Sequence, residues 1–403
     1  FHDFGRAIQQ DGQLIYRYYE LTGSKMWITN GRFAGLFALY AKTDEGVTGL
    51  CVDRYAEGLT VGKDEDKMGQ NASPTNEIFL EKVRVSTDFV LGIEGRGQVN
   101  ALETLNVGRA GLSLSSLALS EDVLEAAIKF SHQSEKDLAL IGRMAEELFG
   151  AQPSAYEMIS VFDTPGSDAR MESAIGKFMN SEILHRCILY SEGVHGACSQ
   201  TFEHDVEKKK RDARILNIYE GTNEIQRFLI LKDLIEQIAK QDPVPLTGEN
   251  ECKNVKQWNQ YRLRFFKTLK NVKKNISSKA WMDSQLQPVF FPLSEIAAWL
   301  KYSEGAIWRL NDWNGEAPEY LKIALNGAIS RAFHKIDLCY EKFDSVYNRL
   351  AQGIRPPETQ LTNFLLEKLA HQDERFALPL HSHKAQQSVT ACLMVRPLNK
   401  PEA

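Results

Sequence analysis

A glutamate followed by a glycine, Glu220-Gly221, is the pair best suited to chemistry in this sequence of 403 residues. A carboxylate on a short loop can act as a general base, and a neighbouring glycine lets a ligand or a second backbone approach closely. Thr222 is a good helix N-cap. The apolar residues behind it recur every three or four positions and predict one buried helical face: Ile225, Phe228, Leu231, Ile235 and Ile238. Taken alone, Glu-Gly-Thr is also typical of a surface turn.

A second candidate segment is KMWITN, which has the composition of a strand. Because side chains alternate between the two faces of a strand, Trp27 and Thr29 should face the same way. An aromatic residue with a β-branched neighbour is also typical of the core of a β-domain. The segment by itself therefore does not decide between a binding surface and a core.

Two longer strings resemble the acyl-CoA dehydrogenases. RDARILNIYEGTNEIQR, at residues 211–227, is similar to the C-terminal signature of that family, and TGSKMWITNG, at residues 22–31, lies upstream at about the expected distance. The resemblance covers roughly residues 14–234. It implies FAD-dependent α,β-dehydrogenation of a fatty acyl-CoA thioester to the trans-2-enoyl-CoA, as in fatty acid β-oxidation. Electrons would pass to electron-transfer flavoprotein.

The resemblance also implies a role for each candidate residue. Glu220 would remove the α-proton while the β-hydrogen leaves as hydride, and its backbone N–H would stabilise the developing enolate. Trp27 would cover the flavin ring, and Thr29 would donate a hydrogen bond near its reactive edge. Gly221 and Arg109 would contact the substrate, although a solvated surface arginine is an alternative for Arg109. The implied cofactor-binding residues are Trp27, Ile28, Thr29, Gly193, Thr222, Asn223 and Glu224.

The sequence departs from the family in two places. The loop joining the first two helices reads FSHQSEKDLAL and lacks the Arg-x-x-Phe-Gly motif that contacts the FAD of the partner subunit in relatives. Its absence predicts weaker FAD binding unless another residue, such as Arg143, replaces it. In YSEGVHGA, at residues 190–197, Gly193 and Gly196 keep the family spacing, whereas Tyr190 and Val194 replace a Gln and a Gly. These changes favour an alternative function as an assembly or scaffold protein, whereas the intact glutamate loop favours an enzyme.

The predicted architecture is α+β, with a small antiparallel β-domain followed by two helical parts. Short runs rich in β-branched and aromatic residues predict the strands, and Gly, Asp and Asn turns separate them. The predicted domains are 1–92 (the middle β-domain), 93–241 (the helical dehydrogenase domain), 251–385 (a further helical domain) and 386–403. Helices are predicted at about 168–190, 258–276, 293–310, 318–350 and 360–370. The further helical domain resembles the extension of the very-long-chain branch of the family.

The longest predicted helix carries one apolar stripe. Its members are Leu325, Ala328, Ile329, Ala332, Phe333, Ile336, Tyr340 and Phe343.

Charge, apolar runs and cysteine content indicate which kinds of partner and compartment to expect. The formal net charge of -5 gives no reason to expect nucleic acid, and no apolar run approaches the length of a membrane span. Six cysteines without paired spacing suggest neither zinc nor a disulfide framework and fit a reducing compartment. The resemblance implies a homodimer, either cytoplasmic in a bacterium or at the mitochondrial matrix or inner membrane in a eukaryote. Five lysines could form a membrane-facing surface or simply a solvated one: Lys267, Lys270, Lys273, Lys274 and Lys279.

Both ends of the sequence suggest a fragment. The N-terminal helical domain of the family and its Thr-Glu-Pro-Gly-x-Gly-Ser-Asp-type segment have no counterpart here. Near the other end, the apolar run 389–395 predicts the start of a buried parallel strand, which would need a sheet that this fragment lacks. The run faintly resembles the first strand of electron-transfer flavoprotein subunits. One hypothesis is therefore a fused electron-transfer module, and the alternative is a tail packed on the helical domain.

Overall fold

The computed structural model describes residues 7–10, 13–16, 18–238, 253–275, 287–312, 317–351 and 394–397. The chain has the α+β architecture expected from the sequence, because short strands come first and long helices follow. The contacts divide the chain into two units, one formed by 1–105 with 372–403 and the other by 106–371.

The first unit contains the strands. They are β1 (Ala7–Gln10), β2 (Gln13–Tyr16), β3 (Tyr18–Thr29), β4 (Leu36–Thr43), β5 (Gly46–Asp53), β6 (Leu59–Asp64), β7 (Thr75–Ser86), β8 (Val90–Leu91) and β9 (Met394–Pro397). β1 and β2 form a hairpin, and the other seven form one sheet in the order β6-β7-β3-β9-β4-β5-β8. Alternation puts apolar residues of β4 and β7 on one face, where Leu39 and Ile78 form a buried core together with Leu50 of β5.

Strand β9 corrects one expectation from the sequence. The predicted run 389–395 was expected to need a sheet from outside the fragment, but residues 394–397 pair within the chain's own sheet. β9 runs antiparallel to β3 through pairs such as Glu20 with Arg396, and it meets β4 in parallel at the single pair of Lys42 with Met394. The edges of β3 and β4 that face each other offer unpaired backbone groups, which a strand can satisfy. Residues 389–393 lie outside the described residues.

The helices are α1 (Gly97–Phe130), α2 (Glu135–Asp163), α3 (Arg170–His195), α4 (Val206–Ala213), α5 (Asn223–Ile238), α6 (Lys253–Asn275), α7 (Gln287–Asp312) and α8 (Glu319–Ala351). The helices predicted near 168–190, 258–276, 293–310 and 318–350 are confirmed as α3, α6, α7 and α8, whereas the one predicted at 360–370 lies outside the described residues. The predicted loop FSHQSEKDLAL is mostly helical. Ser134 caps α2 by accepting a hydrogen bond from the Asp137 N–H, so only residues 131–134 connect α1 to α2.

The second unit has one hydrophobic core that runs from α1 to α8. Every residue of the apolar stripe predicted on α8 is buried, which confirms that prediction. The helices of the C-terminal part share this core with those of the dehydrogenase-like part, since Trp299 of α7 and Phe178 of α3 both belong to it. The domain boundary predicted between 241 and 251 lies outside the described residues and stays a prediction. No described helix is long and apolar enough to cross a membrane.

The contact between α2 and α7 depends on a glycine and on buried polar groups. A Cβ at Gly150 would lie 2.1 Å from the Tyr302 hydroxyl oxygen, so only glycine lets α7 approach here. The Tyr302 hydroxyl lies 3.0 Å from the Glu146 carbonyl oxygen, to which it donates a hydrogen bond. Next to it, the fully buried Glu147 carboxylate accepts two hydrogen bonds of 2.8 Å from Arg186 of α3. A charge buried in this way requires a partner, and Arg186 supplies it.

Candidate active site

The loop before α5 carries Glu220 in an unusual backbone conformation. Glu220 has a φ of 57° and Gly221 has a φ of 88°, both in the left-handed region. Such a conformation costs a non-glycine residue on the order of 1 kcal/mol or more, so surrounding contacts must hold it. Thr222 begins α5 as its N-cap, since its hydroxyl oxygen accepts a hydrogen bond of 3.3 Å from the Ile225 N–H. The N-cap predicted from the sequence is therefore confirmed.

Three side chains from three helices hold the carbonyl oxygens of this loop. The Glu220 oxygen accepts hydrogen bonds from Arg109 Nε at 3.1 Å and from Gln226 Nε2 at 3.2 Å. The Gly221 oxygen accepts hydrogen bonds from Lys177 Nζ at 2.9 Å and from Gln226 Nε2 at 2.9 Å. Both carbonyls therefore point into the protein, and among the described residues no acceptor bonds to the Glu220 N–H.

The Glu220 carboxylate lies against a glycine of α1. A Cβ built on Gly108 would lie 2.8 Å from Glu220 Oε2 and 3.2 Å from its Cδ. The carboxylate therefore occupies space that any larger residue at position 108 would fill. Sequence reasoning missed Gly108, although a glycine inside a helix is itself a signal, because it costs roughly 1 kcal/mol relative to alanine.

Arg109 is buried beside this glutamate. It is 3% exposed, which excludes the solvated surface arginine considered from the sequence. Its Nη1 donates a hydrogen bond of 3.0 Å to Asn106 Oδ1, and its Nε holds the Glu220 carbonyl. Burial lowers the pKa of Arg109, and the charge of Glu220 partly opposes that shift. A direct contact between Arg109 and a substrate stays a prediction.

Lys177 of α3 is a second buried cation at the loop, and sequence reasoning missed it. Its side chain is fully buried, and Nζ donates a hydrogen bond of 2.7 Å to Asn223 Oδ1 in addition to the bond to Gly221. Burial lowers the pKa of Lys177 to about 8. No simple sequence signal identifies this residue, because Lys177 lies more than forty positions before the loop that it contacts.

The predicted cofactor contacts of α5 face different environments. Asn223 is 2% exposed, and its Nδ2 donates hydrogen bonds to Ser181 Oγ at 3.1 Å and to Glu182 Oε1 at 2.8 Å. The Asn223 side chain therefore bonds to other residues of the protein. A cofactor contact through its backbone stays a prediction. Glu224 is exposed. Gln226, which was not predicted, is fully buried, and its Oε1 has no partner among the described residues.

In the first unit, the predicted flavin-side residues lie at the end of β3. The pairing of β3 with β7 shifts register between Lys25 and Ile28, and Trp27 within this bulge has a φ of 64°. Such a backbone is rare for a bulky residue and indicates a constrained position. Trp27 is 54% exposed and Thr29 is also exposed, whereas Ile28 packs against the core. The two residues expected to share a face are thus both accessible to a ligand.

Gly193 lies on α3 where that helix meets α2. A Cβ at Gly193 would lie 2.8 Å from Leu140 Cδ1, and the Gly193 carbonyl oxygen accepts a hydrogen bond of 2.8 Å from Lys136 Nζ. Helix packing thus explains this glycine, and its cofactor contact stays a prediction. Nearby, His195 is buried and stacks on Phe130 with ring centroids 4.2 Å apart, which indicates a structural role.

The lysine surface predicted from the sequence lies mainly on α6. Lys267, Lys270, Lys273 and Lys274 of α6 are exposed, and Lys279 lies outside the described residues. Lys273 Nζ lies 3.2 Å from the Ile235 carbonyl oxygen, to which it donates a hydrogen bond. The α4 lysines pair with carboxylates, as Lys209 does with Asp122 at 2.8 Å.

Two domain models of one family match this chain. Residues 6–83 match the model of the acyl-CoA dehydrogenase middle domain, and residues 95–235 match that of the acyl-CoA dehydrogenase C-terminal domain. Subunit CarC of the caffeyl-CoA reductase–Etf complex of Acetobacterium woodii is 33% identical over 235 residues, which cover 55% of this chain and 62% of CarC. The human mitochondrial very long-chain specific acyl-CoA dehydrogenase is 32% identical over 234 residues, which cover 53% of this chain and 36% of that enzyme.

Among solved structures, an acyl-CoA dehydrogenase of Bacillus anthracis complexed with FAD superposes with a TM-score of 0.71. The superposition covers 82% of this chain and 64% of that one, and at 22% identity it shows a shared fold alone. The chain spans less than two thirds of the length of these relatives. Because the two domain models together match more than half of the chain, the chain belongs to the acyl-CoA dehydrogenase family.

Proposed function

We propose that the protein containing this chain is an FAD-dependent acyl-CoA dehydrogenase in which Glu220 is the catalytic base. The strongest support is the way in which the loop is fixed. Glu220 has a left-handed backbone conformation, and buried side chains donate hydrogen bonds to its carbonyl oxygen and to that of Gly221. A structural turn would not need two buried cations to fix it, whereas a general base must be positioned within hydrogen-bond reach of its proton.

The residues of β3 fit a flavin. Trp27 offers an exposed indole face, and the exposed Thr29 hydroxyl has no hydrogen-bond partner among the described residues. A planar ring can stack on the indole, and the hydroxyl can donate to a ring heteroatom. When bound, FAD would supply the acceptor for the hydride that leaves the β-carbon of the substrate. The chain lacks the arginine motif that contacts FAD in relatives. The exposed Arg143 is our candidate for that contact.

The chain's own residues would perform the proton chemistry. The Glu220 carboxylate accepts the α-proton of the thioester, and Gly108 leaves room for it to do so. The Glu220 N–H is free of acceptors among the described residues, so it can donate to the thioester oxygen as enolate charge develops. Removing one such donor typically costs about 10²–10³ in rate.

We further propose a fatty acyl-CoA substrate, electron-transfer flavoprotein as the electron acceptor and a homodimer as the assembly. The human relative is named for very long-chain acyl-CoA, and CarC belongs to a complex with Etf. Large apolar side chains on α1–α3 are exposed and could be covered by a second copy: Leu114, Ile128, Leu138 and Leu189. A cytoplasmic or mitochondrial location and peripheral membrane contact through α6 remain predictions.

The direction of the reaction is a separate question. CarC is named as part of a reductase, and a base that removes an α-proton can return it when an enoyl-CoA is reduced. Oxidation is our first proposal, and reduction of an unsaturated acyl-CoA is the second. The scaffold alternative is less well supported, because Glu220 and the three side chains that hold its loop are all in place.

The test uses the full-length protein with FAD. It should purify yellow, and saturated acyl-CoA thioesters of increasing chain length should bleach the flavin absorbance under anaerobic conditions. An enoyl-CoA presented to the photoreduced protein tests the reverse direction. A protein that stays colourless with added FAD and inert toward every thioester would contradict the proposal and support a scaffold.

A further inference from the structure

Lys177 occupies an unusual position for a lysine. Its side chain is fully buried in α3, and among the described residues no carboxylate lies within ion-pair distance of Nζ. Lysine is rarely buried without a charged partner, because the ammonium loses its hydration. Its hydrogen-bond acceptors are instead two neutral groups, the Gly221 carbonyl oxygen at 2.9 Å and Asn223 Oδ1 at 2.7 Å.

Both acceptors belong to the segment that carries Glu220. Gly221 follows the glutamate directly, and Asn223 is the first residue of α5. The Asn223 amide is oriented by its own donors, since Nδ2 bonds to Ser181 and Glu182 and leaves Oδ1 to face Lys177. One ammonium group thus links α3 to the loop and to the start of α5.

The two loop carbonyls are held by different cations. Arg109 of α1 binds the Glu220 oxygen, and Lys177 of α3 binds the Gly221 oxygen, while Gln226 reaches both. Removing Lys177 would leave the Gly221 carbonyl with the neutral amide alone. The peptide that joins Gly221 to Thr222 could then rotate, and the strained left-handed conformation of Glu220 and Gly221 would lose part of its support.

We infer that Lys177 is a positioning residue for the catalytic base: it holds the Gly221 carbonyl and Asn223 so that the Glu220 carboxylate and N–H keep their reactive geometry. This inference depends on the proposed function. It assigns no chemical step to Lys177, which acts only through the loop.

The electrostatic surroundings give this role a pH dependence. Burial lowers the pKa of Lys177 to about 8, and the charge of Arg109 on α1 adds to the lowering. Three carboxylates oppose it: Glu224 on α5, Glu182 on α3 and Glu220 on the loop. As the pH rises through this value the ammonium becomes an amine, and its hydrogen bonds lose their charge assistance. Turnover should therefore decline above about pH 8.

The experiment compares full-length wild type with Lys177→Met and with the control Lys273→Met. Lys273 makes the same kind of bond, from Nζ to a backbone carbonyl, near the other end of α5. Lys177→Met should lower kcat about ten- to a hundredfold with KM and flavin content nearly unchanged, because misplacing a base affects the reaction and not binding. The control should match wild type.

Two further measurements separate positioning from a merely structural role. The decline in kcat above about pH 8 should be present in wild type and absent from Lys177→Met. Adding Lys177→Met to Glu220→Gln should cost little more than Glu220→Gln alone, because residues that act as a unit are non-additive. If Lys177→Met does not fold, Asn223→Ala should show the same loss of kcat, and the wild-type pH profile needs no variant.

The outcomes distinguish the two proposals. An active wild type with an unchanged Lys177→Met variant would overturn the positioning role and leave the proposed function standing. A wild type that oxidises no acyl-CoA would overturn the proposed function itself, and the positioning role with it.

Discussion

Replacing Gly108 with alanine tests the site with a single methyl group. The new Cβ would lie 2.8 Å from Glu220 Oε2 and 3.2 Å from its Cδ, and real Cβ atoms do not approach other heavy atoms below 3.0 Å. The carboxylate must therefore move, and as the end of a flexible side chain it can do so at little cost to stability. We expect Gly108→Ala to displace the base while the fold stays intact.

We expect Gly108→Ala to raise stability and to lower activity. Because Gly108 lies inside α1, alanine should stabilise the helix by roughly 0.5–1 kcal/mol. Turnover should fall by about 10²-fold, since a displacement on the order of 1 Å can cost that much in a positioned reaction. A more stable enzyme that has lost activity is a result that general damage to the fold cannot produce.

Gly111→Ala is the matched control. It lies one turn further along α1, and a Cβ there would meet nothing within 4 Å. This variant should gain similar stability and keep full activity. The assay is anaerobic reduction of the flavin by acyl-CoA, with urea unfolding of both variants. If Gly108→Ala kept wild-type kcat, the reasoning about the Glu220 carboxylate would be refuted.

Three other predictions concern stability and the cofactor. The pKa of Lys177 is about 8 in the folded state and roughly 10.4 in the unfolded state. At a pH between these two values, the unfolded state therefore binds more protons than the folded state. The free energy of unfolding should therefore rise with pH across that range, by up to on the order of 3 kcal/mol. In urea titrations at several pH values, Lys177→Met should lack this rise. Glu147→Gln should lower the free energy of unfolding by about 3 kcal/mol, because it leaves Arg186 without its buried charged partner. Glu125→Gln, at an exposed pair, should leave the midpoint of thermal unfolding nearly unchanged. FAD should bind about ten- to a hundredfold more weakly than in relatives with the arginine motif, and a nanomolar dissociation constant lost in Arg143→Ala would identify Arg143 as the replacement.

The sequence predicts the parts of the fold that depend on periodicity. The apolar stripe of α8 repeats at helical spacing and is buried throughout, and the alternating residues of β4 and β7 form the sheet core. It does not predict that β9 pairs with β3, because pairing across more than 370 residues depends on which sheet edges remain open. It also misplaces the start of α2, where the Ser134 cap was not recognised.

The candidate site shows the same division. Glu220 and Trp27 lie in long strings with family resemblance, so the sequence alone is enough to single them out as candidates. Lys177 and Gly108 contact the same loop from separate helices, and only the tertiary structure brings them together. Their residue types gave weak signals, since a single lysine or glycine within a helix has many ordinary explanations.

The most direct test of the central claim is stopped-flow reduction of the bound flavin by acyl-CoA in full-length wild type and Glu220→Gln. The amide keeps the shape of the side chain but cannot accept the α-proton, and a positioned general base is worth roughly 10²–10⁴-fold. We expect Glu220→Gln to bind FAD and acyl-CoA as wild type does and to reduce the flavin at least about 10²-fold more slowly. Reduction at the wild-type rate would contradict the assignment of Glu220 as the catalytic base.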